Sequence, residues 1–306
     1  MEDSQSHRRT SLSSALLLHA GAMLTVCMWG VSFVSTKVLL DHGLNSVEIY
    51  IYRFILAYLC VLLFCHKQIW SNSWHHEFLF MLVGLCGGSL YFIAENMALE
   101  YTLVTNVSLI TSLSPLLTTM LVGLLYKSER PSRGFIFGSL VAVVGVGCVI
   151  FNSSFVVEVN PLGDLLALLA AVCFAVYSII LRKLNAEYSV SFITRKTFFY
   201  GLLTAIPFWI MEPDAVPFAE FALPEVWANL LFLGLGASVL AYVMWARTVK
   251  NLGAVKASNY LYGQPIVTFV ASVAFLGEPL MLMGVLGCIL IIGGLWLGDF
   301  LSRRGI

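Results

Sequence analysis

Residues 162–184 read LGDLLALLAAVCFAVYSIILRKL, and this stretch has no charged residue between Asp164 and Arg182. A helix rises about 1.5 Å per residue, so it needs roughly 20 apolar residues to cross about 30 Å of hydrocarbon. The stretch is therefore long and apolar enough to form one membrane-spanning helix. The alternation of polar and apolar residues that is typical of membrane β-strands is absent from it.

Nine further segments of this kind can be placed along the chain. With the first, they lie at about 16–40, 47–65, 78–99, 103–126, 134–151, 162–184, 196–211, 224–246, 254–276 and 281–301. The connections between them are short and polar, and none could hold a soluble domain. The sequence therefore predicts an all-α membrane protein with ten transmembrane helices.

The composition of the chain agrees with a lipid environment. The chain is 59% hydrophobic and 11% charged, whereas soluble domains are about 45–50% apolar and about 25% charged. Its 17 Lys and Arg residues balance 17 Asp and Glu residues, which argues against nucleic-acid binding. The cysteines lie within apolar runs and form no C-x-x-C pair. We expect no metal site and no cofactor.

The basic residues predict the orientation of the helices, because Lys and Arg collect in cytoplasmic loops. If the N-terminus lies inside, all Lys and Arg residues except Lys37 and Arg53 fall at the inner side. A miscounted segment would destroy this alternation. We therefore predict that both termini are cytoplasmic and that residues 1–15 form a cytoplasmic tail.

Each half of the chain carries a proline, a glutamate and two glycines in the same order. They are Pro115, Glu129, Gly138 and Gly145 in the first half, and Pro265, Glu278, Gly287 and Gly294 in the second. Because a unit of five helices has an odd number of spans, a second copy must cross the membrane in the opposite sense. We predict two inverted five-helix repeats, at 16–151 and 162–301.

The run Trp29-Gly30-x-Ser32-Phe33-x-x-x-Lys37, Arg53, and the Pro…Glu…Gly pattern that closes each half resemble the EamA type of the drug/metabolite transporter superfamily. The resemblance implies an inner-membrane (plasma-membrane) protein of two inverted repeats, in a family with many exporters of amino acids, metabolites or drugs. The chain departs from the family pattern at Asn45-Ser46, where a proline is usual, and at Ser128, where the second half has Gly277.

Lys37, Arg53 and Glu95 are charged residues within the first three segments. A charge at the centre of a membrane helix costs about 2.5–3.5 kcal/mol, so such residues usually face the bundle interior or a wet cavity. One hypothesis is a polar cluster that contacts the substrate or a coupling proton. The alternative is a structural salt bridge between Arg53 and Glu95, with Lys37 extending to the outer headgroups.

Polar residues surround the prolines of the fourth and ninth segments. They include Asn106 and Ser108 beside Pro115, and Asn259, Tyr262 and Gln264 beside Pro265. Each proline frees one backbone carbonyl, that of Thr111 or that of Leu261, which needs another partner in lipid. We predict that the two sets line a cavity near the midplane; the alternative is packing between helices.

Five aromatic residues lie away from the expected membrane interfaces. They are Trp29, Tyr91, Tyr177, Tyr242 and Trp245. Aromatic side chains offer a large apolar area, and Tyr and Trp add a hydrogen-bonding group. They are predicted to form the wall of a pocket for a partly apolar solute; the alternative is simple packing.

The spans, the repeat and the resemblance together predict a secondary active or facilitative transporter that works by alternating access. It would move a small amphipathic metabolite (amino acid-like, nucleoside-like or drug-like), with export as the expected direction. The expected partners are this small-molecule substrate and the lipid bilayer, with protons as a candidate coupling ion. No nucleic acid is expected, and a monomer is the simplest assembly.

Two other classes of function are alternatives: an intramembrane enzyme, and a non-transporting membrane receptor or assembly factor. Gly163-Asp164 and Gly298-Asp299 resemble half of an intramembrane aspartyl protease signature, but the predicted topology puts them about a membrane thickness apart. Motifs for zinc or serine hydrolysis and for phosphate binding are absent. A receptor would need an interaction domain or a long loop, and the predicted connections provide neither. We therefore expect that the protein is not an enzyme.

Overall fold

The computed structural model describes residues 2–65, 69–126, 132–153, 161–212, 220–277 and 282–303. Within these ranges the chain is helical and contains no strand. The α-helices are α1 (Glu2–Asp41), α2 (Ser46–Phe64), α3 (Trp74–Gly84), α4 (Leu90–Tyr101), α5 (Val104–Thr111), α6 (Ser114–Leu125), α7 (Arg133–Ser153), α8 (Pro161–Leu184), α9 (Val190–Met211), α10 (Pro224–Leu231), α11 (Ala241–Leu252), α12 (Ala254–Ser258), α13 (Gln264–Leu276) and α14 (Leu282–Arg303).

The helices follow the same scheme in both halves of the chain. In the first half, a π-helical segment (Leu85–Ser89) joins α3 to α4, and a short break separates α5 from α6. In the second half, a π-helical segment (Phe232–Leu240) joins α10 to α11, and a 3₁₀ segment (Asn259–Gly263) joins α12 to α13. Seven of the described helices, counted across these joins, are long and apolar enough to cross a membrane. The all-α membrane fold predicted from the sequence is confirmed.

Some helix ends differ from the predicted ones. The first helix begins at Glu2, so residues 2–15 are helical and continuous with the first span; that they form a cytoplasmic tail stays a prediction. The seventh span begins at Val190 instead of 196, because the Oγ of Ser189 accepts a hydrogen bond from the backbone N–H of Phe192 and caps α9. The predicted repeat residues Glu129 and Glu278 lie outside the described residues.

Side chains cap the first turn of α2, at the position where the resembled family usually has a proline. The side chain of Asn45 accepts a hydrogen bond from the backbone N–H of Glu48 at 2.8 Å. The carboxylate of Glu48 accepts one from the backbone N–H of Asn45 at 3.1 Å. This capping box satisfies two backbone donors and fixes the first turn of the helix.

The four repeat glycines bring α7 and α14 into backbone contact. A Cβ atom added to Gly138 would lie 2.2 Å from the carbonyl oxygen of Gly294, and one added to Gly145 would lie 2.9 Å from that of Gly287. Gly138 corresponds to Gly287 in the repeat, and Gly145 to Gly294. The equivalent glycines therefore pair crosswise, as an inverted repeat requires, and only glycine permits this approach.

Candidate functional site

A cluster of aromatic side chains lies at the centre of the helix bundle. This central aromatic cluster consists of Trp29, Tyr91, Phe174, Tyr177, Tyr242 and Trp245, all buried. The ring of Trp29 lies 5.2 Å from that of Trp245 and 5.9 Å from that of Tyr242, and the rings of Tyr177 and Tyr242 lie 6.0 Å apart. The structure therefore brings together the five aromatic residues that the sequence singled out.

Phe174 also belongs to the cluster, although it was not predicted as a site residue. Its ring lies 5.7 Å from those of Trp29, Tyr91 and Trp245, and 5.5 Å from that of Tyr177. It lies three residues before Tyr177, and residues at this spacing share one face of a helix. The sequence therefore contained one signal for Phe174, its spacing from the predicted residue Tyr177.

The two π-helical segments hold the cluster in place through hydrogen bonds between the halves. The hydroxyl of Tyr242 on α11 donates to the carbonyl oxygen of Gly87 in the first π-helical segment. The indole N–H of Trp29 on α1 donates to the carbonyl oxygen of Ala237 in the second, at 2.9 Å. Such π-helical turns often mark functional sites. The sequence did not predict these two segments, although Gly84, Gly87 and Gly88 lie in or next to the first one.

Arg53 on α2 is fully buried beside the cluster. Its Nε donates to the Oγ of Ser238, in the second π-helical segment, at 3.1 Å. Its guanidinium lies 4.2 Å from the centroid of the Phe92 ring, a cation–π geometry. The two terminal nitrogens of Arg53 have no hydrogen-bond partner within the described ranges. Ser238 and Phe92 had not been predicted as site residues.

Glu95 on α4 is buried and accepts a hydrogen bond from the hydroxyl of Tyr91, one turn earlier, at 2.5 Å. Because the terminal nitrogens of Arg53 make no hydrogen bond to any described residue, the two residues do not form the salt bridge considered as the alternative. The carboxyl and the guanidinium thus lie in one aromatic environment, where their charges interact without a hydrogen bond between them.

Lys37 does not join this group. Its Nζ donates to the carbonyl oxygen of Leu99 at 3.3 Å and lies 3.4 Å from the carboxylate of Asp41. Its side chain is 30% exposed. Lys37 therefore interacts near the end of α1, which agrees with the alternative in which it extends toward the headgroups.

Polar residues of the fourth and ninth spans meet where α5 packs against α13. The Oγ of Ser108 donates to the Oγ1 of Thr268 at 2.9 Å, and the hydroxyls of Thr105 and Ser272 lie 3.1 Å apart. Thr268 also lies within 2.9 Å of the carbonyl oxygen of Gly30. Only Ser108 of these residues was predicted. The two spans meet as predicted, but the residues of the ninth span that make these hydrogen bonds lie after Pro265.

The carbonyls freed by the two prolines both find partners. Upstream of Pro115, the carbonyl oxygen of Thr111 accepts from the Oγ of Ser114 at 2.6 Å. Upstream of Pro265, the carbonyl oxygen of Leu261 accepts from the backbone N–H of Gln264. The side chain of Gln264 is buried.

The other polar residues of these spans lie apart from the cluster. The Nδ2 of Asn106 donates to the Oγ1 of Thr102, the C-cap residue of α4. Asn259 and Tyr262 line a cleft of about 470 Å³ together with Ile266, Ile292 and Trp296. The predicted residues are therefore dispersed: the aromatic residues form the central cluster, Ser108 lies where α5 crosses α13, and Asn259 and Tyr262 line this cleft. Lys37 lies at the end of α1 instead.

The centre combines aromatic faces with a few buried polar groups, the mixture of surfaces that is typical of sites for amphipathic molecules. No group of three or more His, Cys, Asp or Glu residues that could hold a metal ion occurs in the part of the chain that the structure describes.

Comparisons with known proteins agree with this architecture. The profile of the EamA-like transporter family matches residues 16–151 and 161–298. An uncharacterized transporter of Archaeoglobus fulgidus is 28% identical over 285 residues, which cover 91% of this chain and 96% of the relative. A biotin transporter of Escherichia coli (strain K12) is 26% identical over 278 residues, which cover 90% of each chain. A crystal structure that is 19% identical has the same fold, with a TM-score of 0.68, and the match covers 95% of this chain and 99% of that one.

The family profile matches the chain twice, close to the two repeats predicted from its prolines and glycines. The helices of both halves break at corresponding positions. The chain therefore belongs to the EamA-like transporter family and is a multi-pass membrane transporter built from two repeats.

Proposed function

We propose that the protein moves a small amphipathic metabolite across the inner membrane by alternating access, in the direction of export. The central aromatic cluster, with Arg53 and Glu95, would bind the solute. Transport would be facilitative or driven by a second gradient, with protons as the candidate coupling ion. The family match supports transport of a small molecule, and the mixture of aromatic and charged groups at the centre supports an amphipathic one.

One observation carries this proposal: the two halves hold each other through reciprocal hydrogen bonds at the cluster. Trp29 of the first half donates to Ala237 of the second, and Tyr242 of the second half donates to Gly87 of the first. These two bonds would have to break for the halves to separate at the cluster. A net contribution of about 0.5–1.5 kcal/mol for each bond is small enough to be overcome in a transport cycle.

The distribution of charges supports the proposed orientation. At one end of the bundle, Lys183 lies 3.4 Å from His75 and Lys196 pairs with Glu77. At the other end, the acidic residues Glu220 and Glu225 each lie 3.5 Å from His42. The basic end would face the cytoplasm, and both termini would then be cytoplasmic.

A flux assay in proteoliposomes tests the proposal. The panel would contain aromatic and aliphatic amino acids, nucleosides, cationic drugs, and biotin, because a relative is a biotin transporter. We expect saturable movement of at least one chemically unchanged solute, and an altered rate in Tyr242→Phe, which removes the bond to Gly87 that joins the halves. Tyr58→Phe is the matched control, because the ring of Tyr58 packs against Phe199, which is not a member of the cluster. Fluxes equal to those of protein-free liposomes across the panel would refute transport of these classes of solute.

A further inference from the structure

We propose that Arg53 binds a carboxylate of the transported solute, so that the substrate is an amphipathic carboxylic acid. The proposal rests on the transport function above and names the class of substrate. It starts from the hydrogen bonds of Arg53, which leave its two terminal nitrogens without partners within the described ranges.

The charge of Arg53 lacks a counter-ion in direct contact. The guanidinium stays protonated at any physiological pH, and its recorded hydrogen bond is to the neutral hydroxyl of Ser238. The nearby carboxyl of Glu95 is instead engaged by Tyr91. A fully buried cation without a bonded anion is costly. Binding of a solute anion would relieve this cost.

The orientation of Arg53 favours a carboxylate. The bond from Nε to Ser238 and the face of Phe92, 4.2 Å away, fix the plane of the guanidinium. The two terminal nitrogens then form a preset fork, which matches the two oxygens of a carboxylate in a bidentate pair. One guanidinium charge also balances one carboxylate charge.

Other buried donors extend the site into the aromatic cluster. The hydroxyl of Tyr50 and the indole N–H of Trp245 are also without hydrogen-bond partners among the described residues. The rings of Phe92 and Tyr242, 6.5 Å apart, connect Arg53 with the cluster. A solute with its carboxylate on Arg53 would therefore place its apolar part among aromatic rings and a polar acceptor within reach of Trp245.

Binding of paired probes to the purified, full-length protein tests the proposal. The probes are aromatic and aliphatic monocarboxylic acids, each paired with its own primary amide, measured by equilibrium dialysis and mass spectrometry. We expect the wild type to retain at least one acid about tenfold or more over its amide, as for a hydrogen bond between charged groups. Arg53→Lys keeps the charge but loses the fork and should reduce the preference, whereas Arg53→Gln loses both and should abolish most of it.

Lys250→Gln is the matched control, because it also removes one cation but from an exposed position near the end of α11; it should bind as the wild type does. If Arg53→Gln does not fold, the proposal is tested by comparing the acid–amide preference of the wild type with that of Arg53→Lys. Equal retention of acids and amides, retention of neither, or an unchanged preference in Arg53→Lys would overturn the proposal. Binding of acids without flux would instead refute transport alone, and flux of only neutral or cationic solutes would refute the carboxylate alone.

Discussion

The Nζ of Lys196 on α9 donates to both carboxylate oxygens of Glu77 on α3, at 2.9 Å each. Both side chains are almost completely buried. Glu77 also accepts hydrogen bonds from the hydroxyl of Tyr200 and from the backbone N–H of Ser71. The pair therefore joins the third span of the first half to the seventh span of the second, at the end of the bundle that carries the basic residues.

Breaking this ion pair should destabilise the protein. Removing one partner leaves the other charge buried and uncompensated, at a cost of about 3–5 kcal/mol. We expect Lys196→Met to lower the temperature of unfolding in detergent, and Glu77→Gln in the Lys196→Met background to recover part of the loss. Lys250→Met is the control, since its charge is exposed. Equal unfolding temperatures for the Lys196 and Lys250 variants would show that the pair contributes nothing.

This pair also shows why the ends of the helices were harder to predict than the all-α fold. Membrane-spanning helices are recognised from runs of about 20 apolar residues, a local property of the sequence. Arg195 and Lys196 interrupt the apolar run and placed the start of the seventh segment at about 196, yet both are buried within α9. Their partners lie far away in sequence: Lys196 binds Glu77, and Arg195 donates to the carbonyl oxygen of Cys65. No local pattern contains such contacts.

The packing of α7 against α14 leads to a second prediction. A Cβ atom on Gly294 would lie 2.6 Å from the carbonyl oxygen of Gly138, whereas one on Gly293 would have no atom within 4 Å. We expect Gly294→Ala to destabilise the protein by about 1–3 kcal/mol through steric overlap. Gly293→Ala should be neutral or stabilising by up to about 1 kcal/mol, because alanine favours the helix. Unfolding temperatures of the two adjacent variants provide the comparison, and a loss of the same size in both would contradict the close approach.

The reciprocal hydrogen bonds of the centre lead to a third prediction. Tyr242→Phe removes the bond to Gly87 and should favour opening of the halves by roughly two- to tenfold. Cys86, half-buried next to Gly87, reports this opening through its rate of reaction with a maleimide, in a chain whose other cysteines are replaced. Trp29→Phe, which removes the bond to Ala237, should act in the same direction. Tyr58→Phe should leave the rate unchanged, and an unchanged rate in Tyr242→Phe would mean that this bond does not hold the halves.

The candidate site was predicted in part, and the missing part has a physical cause. Aromatic residues far from the interfaces, such as Trp245, can be found from their position along a span. Phe92, Ser238 and Thr268 could not, because the side of the helix on which each lies depends on the π-helical segments and on contacts between the halves. A π-helical turn shifts the following residues around the helix axis relative to a regular α-helix, so spacing along the sequence no longer gives the face.

Glu95 leads to the last prediction, which concerns the coupling ion. Its buried carboxyl, bonded to Tyr91 and close to the aromatic cluster, is the proposed carrier of the coupling proton. In Glu95→Gln the group can neither gain nor lose a proton. We expect this variant to exchange the transported solute across proteoliposomes, but to lose the acceleration of flux by an imposed pH gradient. The wild type should be accelerated, and so should Glu225→Gln, whose carboxyl is exposed at the other end of the bundle.

The two rates separate coupling from folding. A variant that has lost its structure loses solute exchange and gradient-driven flux together, whereas a variant that has lost only the coupling group keeps the exchange. If the wild type responds to the gradient and Glu95→Gln responds equally, the proton is carried elsewhere. If the wild type itself shows no response, transport is facilitative. The carboxyl of Glu95 then remains as a polar group of the proposed binding site next to Arg53. Its replacement by glutamine would in that case change the affinity for the solute and not the driving force of transport.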